Sequence, residues 1–380
     1  MLMYSFILNL SLRNRLLFII LSLVVLSFFI QTIFKGLENS CDLMWQPSKI
    51  FWEGINHYEY QMRTGDIFLG CQAGRYGHFL FILLYPITLF EWEQAKTIWI
   101  LINICFALFI PIILCRFNNI STLHTFLIIG IFLTCHPTRM TFNLGQNSLM
   151  ILFFLTLPFL TVSSRYRSFN MIISGASYVK YSTGYVLFLS LLVEKKFKNL
   201  FFTSLLTLFG WIFYSYYTDS SLILNFFEPL KMNFQDNYIR TGDLYSLMNI
   251  YFFKENNIIN KILQIGLVLV GNIYFLYQIK DVKNKLAKLS VLCFLPLIFM
   301  PHSNYDYVLM LPLLIYSIKN YKLDISKYGL YLTLYYFYFH RLIRHWVNND
   351  AFYQFCMLFI FTFFIILYVN HLKKNSPILE

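Results

Sequence analysis

Long apolar runs, separated by short polar breaks, fill most of this sequence. An apolar run of about 20 residues matches the hydrocarbon thickness of a bilayer, where a helix satisfies all of its own backbone hydrogen bonds. Only 13% of the 380 residues are charged, against about 25% in a soluble domain. The sequence therefore predicts an all-α integral membrane protein. The runs lie near residues 16–34, 77–90, 97–115, 122–137, 147–162, 169–193, 199–217, 259–279, 286–300, 305–318, 327–340 and 351–370.

The breaks that carry lysine and arginine indicate which side of the membrane each loop occupies. They read CRFNN, SSRYRS, EKKFK, KDVKNKLAK, KNYKLDISK and HLKKN. Basic loops stay on the cytoplasmic side, so both termini are predicted to be cytoplasmic. The net charge of +12 comes largely from these clusters, so we interpret it as a topology signal and predict no nucleic-acid partner. The unusual polar stretches then fall on the external face, where we expect the functional site.

Two apolar runs are predicted not to cross the membrane in one pass. The run 77–90 is short and contains Pro86, so we interpret it as an interfacial or re-entrant segment on the outer side. The run 169–193 has basic loops at both ends and a break at YVKYSTGY, so it is expected to enter and return. This gives about twelve spans in a single polytopic domain, 1–380, with a first external loop at 35–96 and C-terminal helices at 321–380.

The first external loop begins with the candidate catalytic residue, Asp42. Its ordinary pKa near 3.9 makes it a carboxylate at neutral pH, and a carboxylate can act as a general base toward a hydroxyl. A solvated loop acid is the alternative. The spacing of Trp45, Trp52, Tyr58 and Tyr60 predicts an amphipathic interfacial helix, Gln46 to Glu53, ended by Gly54, with these aromatic residues anchored among lipid headgroups. Cys41 and Cys71 share the loop and form either a disulfide or two free thiols.

Further candidates are polar residues that lie at or near membrane depth. Lys180 is costly among apolar helices, so we expect it to bind a lipid phosphate or to form a salt bridge with a loop acid. The turn PHSNYDY contributes His302, Tyr305 and Asp306, and the turn NLGQNS contributes amides suited to binding hydroxyl groups, namely Asn143, Gln146 and Asn147. Other external cations are Arg139, Arg240, Arg341 and Arg344.

Six segments, in order, resemble those of the GT-C glycosyltransferases, and more narrowly glycosyltransferase family 87, the polyprenol-phosphate-mannose-type mannosyltransferases. The resemblance covers roughly residues 15–320. Departures are Lys180-Tyr181 where the family has Lys-Pro, RYGH where it has Tyr-Pro-Pro, and Tyr307 where histidine is common. The segments are DLMWQPSKIFWEGINHY, RYGHFLFILLYP, IWILINICFAL, LGQNSLMILFF, ISGASYVKYSTGYVLFLSLLVEKKFK and PHSNYDYVLMLPLL.

The resemblance implies a GT-C-type helical bundle and an inverting transfer of a sugar, mannose being the first guess. The donor would be a polyprenyl-phosphate sugar, and the acceptor a hydroxyl of a lipid or glycan at the external face of a bacterial inner or plasma membrane, among membrane lipids. Asp42 would be the base. Donor-phosphate binding would fall to Lys180, His302 and Arg139, and sugar or acceptor binding to Asp306, Tyr305, Gln146, Asn147 and Asn143. No cofactor is implied, and a metal is not expected because CDLMW lacks an Asp-x-Asp pair.

Two other functions remain open from the sequence. A lipid-linked saccharide polymerase or ligase is also polytopic and aromatic-rich, but it would need a cluster of external arginines, whereas the arginines here are dispersed along the chain. A non-enzymatic lipid or saccharide transporter is expected to show repeat symmetry, and the sequence has no evident internal repeat.

Overall fold

The computed structural model describes residues 12–64, 76–160, 166–234, 242–252, 258–347 and 350–375, and every regular element in these ranges is helical. Short 3₁₀ helices occur at Leu157–Phe159, Gly175–Val179 and Asn304–Met310, and a π-helical turn at Tyr335–Phe339. The α-helices are α1 (Leu12–Asn39), α2 (Trp45–Trp52), α3 (His57–Thr64), α4 (Phe79–Leu83), α5 (Tyr85–Thr88), α6 (Trp92–Phe117), α7 (Thr122–Thr134), α8 (His136–Leu144), α9 (Ser148–Thr156), α10 (Arg167–Ser174), α11 (Tyr181–Val193), α12 (Phe197–Tyr217), α13 (Leu222–Phe234), α14 (Leu244–Tyr251), α15 (Ile258–Ile279), α16 (Lys285–Phe299), α17 (Leu311–Lys319), α18 (Asp324–Leu334), α19 (His340–Trp346) and α20 (Asp350–Lys374).

Five of these helices are long and apolar enough to cross a membrane. They are α1, α6, α12, α15 and α20, and the count within the described residues rises to six if the bent pair of α8 and α9, with its 118° bend, is taken as one span. The protein is thus a multi-pass, all-α membrane protein, as the sequence predicts. The predicted number of about twelve spans stays a prediction, since several of the predicted runs form shorter or broken helices.

The centre of the bundle is α16, whose residues Leu286–Phe299 are all buried. A helix that is apolar on every side is stable only when other helices surround it. It packs against α9, α11, α15, α17 and α20. By contrast, most of the apolar residues of α1 remain exposed in the protein, as expected for a helix that faces lipid.

The run 77–90 forms two short helices, α4 and α5, which confirms that it is not a single spanning helix. The predicted helix after Asp42 is also confirmed, as α2, with Gly54 in the left-handed region at φ 80°. The predicted lipid anchoring of its aromatic residues is wrong for Trp45, which is 6% exposed. Its indole donates to the Phe90 carbonyl at 3.2 Å, because α2 packs on α4 and α5 inside the protein.

The run 169–193 breaks at Lys180, where the 3₁₀ helix Gly175–Val179 meets α11. Arg167 at one end of the run and Glu194 at the other line the same cavity, so the chain enters and returns as predicted. The close approach of the two halves depends on Gly184. A β-carbon there would lie 2.9 Å from the Tyr178 Cα and nearer still to the Ser177 carbonyl.

We predict that Gly184→Ala destabilises the fold, because the added β-carbon would clash with the backbone of Ser177 and Tyr178 and force the two halves of the run 169–193 apart. Overpacking of this kind costs roughly 1–3 kcal/mol. The measurement is the midpoint of thermal unfolding in detergent. Gly266→Ala is the matched control, since a β-carbon at Gly266 meets nothing within 4 Å, and its midpoint should not fall. Equal midpoints for wild type and Gly184→Ala would contradict the prediction.

Candidate functional site

Asp42 is held by the end of another helix. Helix α8 ends at Leu144, and its free carbonyl accepts the backbone N–H groups of Asp42, at 2.8 Å, and of Cys41, at 3.2 Å. Gly145 follows in the left-handed conformation, with φ 72°, and its missing side chain leaves room for Ser40. Since the first apolar run ends near residue 34, the sequence predicts that Asp42 lies about eight residues beyond the first span. That spacing is wrong, because α1 continues to Asn39.

The carboxylate of Asp42 accepts a hydrogen bond from the amide of Gln146. The other end of that amide accepts from the Tyr76 hydroxyl at 3.0 Å, so its orientation is fixed. Burial raises the pKa of Tyr76 well above its ordinary value of 10, and the neighbouring Asp42 carboxylate adds to this. Tyr76 is therefore a neutral donor at physiological pH. Tyr76 lies in the motif RYGH but was not predicted from the sequence as a site residue.

A second carboxylate, that of Asp306 in the 3₁₀ helix Asn304–Met310, is buried and contacts the other end of the same turn at Ser148. One of its oxygens accepts from the Ser148 hydroxyl at 2.6 Å and forms an ion pair with Lys180. Its other oxygen accepts from the Ser303 backbone N–H at 3.0 Å. The salt bridge that the sequence left open as an alternative for Lys180 is thus present. The Lys180 ammonium also lies 4.8 Å from the centre of the Tyr305 ring.

The two carboxylates share one site. Gln146 and Ser148 lie two positions apart, and the electrostatic field of both Asp42 and Asp306 reaches the Tyr76 phenol. Asn147, between them, is fully buried, and its amide makes no hydrogen bond of good geometry to another described residue. Besides Asp42 and Lys180, four residues predicted from the sequence therefore lie in this site, namely Asp306, Tyr305, Gln146 and Asn147. A fifth, His302, lies just before the 3₁₀ helix that holds Tyr305 and Asp306.

His302 is buried, and its Nδ1 lies 3.1 Å from the Met300 carbonyl. Burial lowers the pKa of His302 below its ordinary value of 6.5. The ring is therefore neutral at pH 7, with the proton assigned to Nδ1 by that hydrogen bond. In this state Nε2 of His302 can only accept a hydrogen bond and the ring carries no positive charge, which does not favour its predicted role at a donor phosphate.

Two of the predicted residues lie away from this site. The side chain of Asn143 accepts a hydrogen bond from the side chain of Asn39 at 3.2 Å, near the surface. Arg139 stacks on the Phe28 ring at 5.8 Å and forms no ion pair with a described residue. It lines a cavity of about 870 Å³, here termed the arginine cavity, together with Thr134, His136, Asn304, Phe337, Tyr338, His340, Arg341, Leu342, Arg344, His345 and Val347.

The arginine cavity overturns the expectation that the external arginines are dispersed. Arg139, Arg341 and Arg344 come together there although more than 200 residues separate the first from the others, and none of the described lining residues is acidic. Asn304, which lies two positions before Asp306 in the chain, also lines this cavity. Arg240 and Cys71 lie outside the described residues. Cys41 is disulfide-bonded.

A second polar network, which was not predicted from the sequence, holds the backbone carbonyl of Tyr76. The Tyr214 hydroxyl lies 2.8 Å from His57 Nδ1 and donates to Asn56 at 3.1 Å. The neighbouring Tyr58 donates to the Tyr76 carbonyl at 2.7 Å. Asn56, His57 and Tyr58 are consecutive in the quoted segment that ends in GINHY, whereas Tyr214 lies more than 150 residues further on, so only the packing shows that they form one network. Among the described residues, no three His, Cys, Asp or Glu side chains are arranged to hold a metal ion.

The sequence pattern of glycosyltransferase family 87 matches residues 75–301, which is more than half of the chain. The chain belongs to glycosyltransferase family 87. The protein is therefore a membrane glycosyltransferase, as the resemblance implied. The matched part contains Gln146, Ser148 and Lys180, whereas Asp42 and Asp306 lie outside it. No curated protein matches the chain.

We predict that the protein loses stability as the pH falls below about 6.5, in part through His302. The unfolded chain takes up a proton at the ordinary histidine pKa, whereas the buried ring resists it, so acid favours unfolding by up to about 1.4 kcal/mol per pH unit for each such group. His302→Gln should reduce the drop in thermal midpoint between pH 7.5 and pH 5. Met300→Leu, in the same turn, should keep the wild-type drop. An undiminished drop in His302→Gln would refute the assignment.

Proposed function

We propose that this glycosyltransferase moves a sugar from a polyprenyl-phosphate donor to a hydroxyl of a lipid or glycan acceptor, with inversion. The observation that carries the proposal is that one turn contacts both a carboxylate and a cation at one end of the bundle, Asp42 through Gln146 and Lys180 through Ser148. An acid that accepts a proton and a cation that faces a phosphate are what such a transfer requires. Mannose is the first sugar to test.

Asp42 is the proposed base. Its backbone is fixed by Leu144 and its carboxylate by Gln146, so it is oriented before the acceptor arrives. The acceptor oxygen would attack the anomeric carbon as its proton passes to Asp42, and the bond to the donor phosphate would break on the opposite face of the sugar. A well-placed base accelerates such a step by roughly 10²- to 10⁴-fold. The buried amide of Asn147 is suited to a sugar or acceptor hydroxyl.

Lys180 is the proposed cation for the leaving phosphate. Its ion pair with Asp306 and its contact with Ser148 hold the ammonium in place, so it need not reorganise when negative charge develops on the phosphate. The pair as a whole is neutral, and this limits the long-range attraction of an anionic donor. Asp306 is thus a positioning residue for Lys180, and Tyr305 covers the same ammonium.

Arg139 is proposed to attract the anionic donor rather than to touch the leaving oxygen. The arginine cavity is lined by three arginines and by Asn304, two positions before Asp306, and a cavity lined by one sign of charge raises the local concentration of an oppositely charged substrate. A lipid-linked donor suits the external face, where nucleotide sugars are absent. The disulfide of Cys41 is in keeping with an oxidising compartment on that side.

The arginine cavity also favours a second candidate, a lipid-linked saccharide polymerase or ligase. That function needs a cluster of external arginines, which the sequence did not show. Membership of family 87 supports the single-sugar transferase. The products separate the two. Transfer of one sugar with release of a polyprenyl monophosphate supports the proposal, and transfer of an oligosaccharide chain supports the alternative.

We predict that Asp42→Asn lowers turnover by at least about 100-fold, as expected for loss of a general base, while the folded protein is retained. The measurement is release of free polyprenyl phosphate by the purified protein from a panel of polyprenyl-phosphate sugars, beginning with mannose, with a lipid and glycan extract as acceptor. Glu53→Gln, an exposed acid just after α2, is the control and should keep wild-type turnover. Turnover by Asp42→Asn close to that of wild type would remove the base assignment.

We predict that Lys180→Met and Arg139→Gln act on different kinetic constants. Loss of the cation at the leaving phosphate should lower kcat, whereas loss of charge in the arginine cavity should raise the KM for the donor by about tenfold or less with kcat retained. Lys180→Arg should recover part of the kcat. Lys49→Gln, a cation on α2 outside the arginine cavity, serves as control. An unchanged kcat in folded Lys180→Met would exclude its role at the phosphate.

A further inference from the structure

The three basic breaks SSRYRS, EKKFK and KDVKNKLAK are far apart in sequence, yet the structure brings residues of all three together. They surround a cavity of about 560 Å³, here termed the lysine cavity. Its basic lining residues are Arg167, Lys196, Lys280, Lys283, Lys285 and Lys288, and its acidic ones are Glu194 and Asp281. Topology signals alone require only that such loops lie on one side of the membrane, not that they converge on a cavity.

The lysine cavity lies at the opposite end of the bundle from Asp42. Helix α11 connects Lys180, which precedes it, to Glu194, which follows it. Helix α16 begins at Lys285 and leads to the turn that holds His302. Each of these helices is about 20 Å long. A ligand in the lysine cavity would therefore be separate from the sugar-transfer site, on the face that the basic loops predict to be cytoplasmic.

The cavity is built around a buried ionic cluster. Glu194 accepts from Lys288 at 2.6 Å and from Ser190 at 3.1 Å, and it also pairs with Lys196. Burial alone would raise the pKa of Glu194, but the hydrogen bonds from Lys196 and Lys288 outweigh it and hold that pKa below its ordinary value. The Lys288 ammonium is held further by the Lys280 carbonyl at 2.8 Å.

This cluster leaves positive charge uncompensated. Glu194 neutralises one of its two lysine partners, and the side chain of Lys288 is only 10% exposed, where water compensates a charge poorly. Helix α16 also begins at the cavity, with Asn284 capping the Ala287 N–H at 3.1 Å, and its N-terminus adds partial positive charge. An anion in the cavity would offset both the excess lysine charge and the partial positive charge of the α16 N-terminus.

Three exposed aromatic residues lie within three positions of residues that line the cavity, and the Lys280 ammonium lies 3.9 Å from the ring centre of one of them, Tyr277. Phe169 on α10, Phe197 on α12 and Tyr277 on α15 are each more than half exposed. Aromatic residues of this kind lie at the level of lipid headgroups, and basic pockets between helices at a membrane surface bind anionic headgroups. A lipid fits this surrounding better than a freely diffusing anion does, because its acyl chains would cover the aromatic rings.

We infer that the lysine cavity binds the phosphate group of an anionic phospholipid, at a site distinct from the sugar-transfer site. The inference does not depend on the proposed donor or acceptor. The phosphate would contact the exposed cations Arg167, Lys283 and Lys285, with the Lys288 cluster behind it.

The test uses the delipidated full-length protein in detergent and measures bound lipid by native mass spectrometry. Phosphatidylglycerol should bind as a single tight equivalent, and phosphatidylcholine, which carries a phosphate but no net charge, should bind more weakly. In Arg167→Gln/Lys283→Gln, affinity for phosphatidylglycerol should fall about 25-fold, because each basic group near a membrane surface contributes roughly a factor of five. Both side chains are exposed, so the thermal midpoint without lipid should not change.

The matched control is Lys198→Gln/Lys322→Gln, which removes the same charge from exposed lysines on the same predicted face, outside the cavity. It should bind phosphatidylglycerol like wild type. Equal weakening in both double variants would overturn the inference in favour of diffuse surface charge, as would equal affinity of wild type for the two lipids. Displacement of phosphatidylglycerol by millimolar inorganic phosphate would overturn it in favour of a soluble anion.

Discussion

The candidate site depends on one break in the helical backbone, the turn between α8 and α9. Because α8 ends at Leu144, its carbonyl is free to hold the segment that carries Asp42. The carbonyl of Gly145 is held in turn by the buried Trp99 of α6 at 2.8 Å, and the next residues of the turn reach both carboxylates. A continuous helix would satisfy these groups internally and would leave the site without its support.

Buried ion pairs lie at both ends of α11. Lys180 with Asp306 lies at one end of α11, and Glu194 with Lys288 at the other. Charges are costly in an apolar interior unless they are paired and hydrogen-bonded, and each cluster meets this condition with hydroxyl or backbone partners. The difference is in net charge, since the first pair is neutral whereas the second cluster retains an excess of lysine.

Local sequence patterns predicted the helices and the helix breaks better than they predicted which residues these helices contact. The break at Lys180, the helix after Asp42 and the failure of the run 77–90 to span were all predictable from glycine, proline, charge and run length. The expected lipid anchoring of Trp45 was wrong because an amphipathic aromatic pattern looks the same whether its apolar face meets lipid or the neighbouring short helices α4 and α5. Hydropathy also merges short and broken helices into runs that resemble full spans.

The sequence by itself determined the membrane class, the position of the helix breaks and a family likeness that the family match confirmed, because each follows from composition or from residues close together in the chain. The tertiary structure decided which polar residues meet. It paired Lys180 with Asp306, gathered Arg139 with two arginines of α19, and joined three basic loops around one cavity. Those contacts bridge more than two hundred residues in the case of the arginines, and they are set by helix packing in three dimensions, which no local pattern encodes.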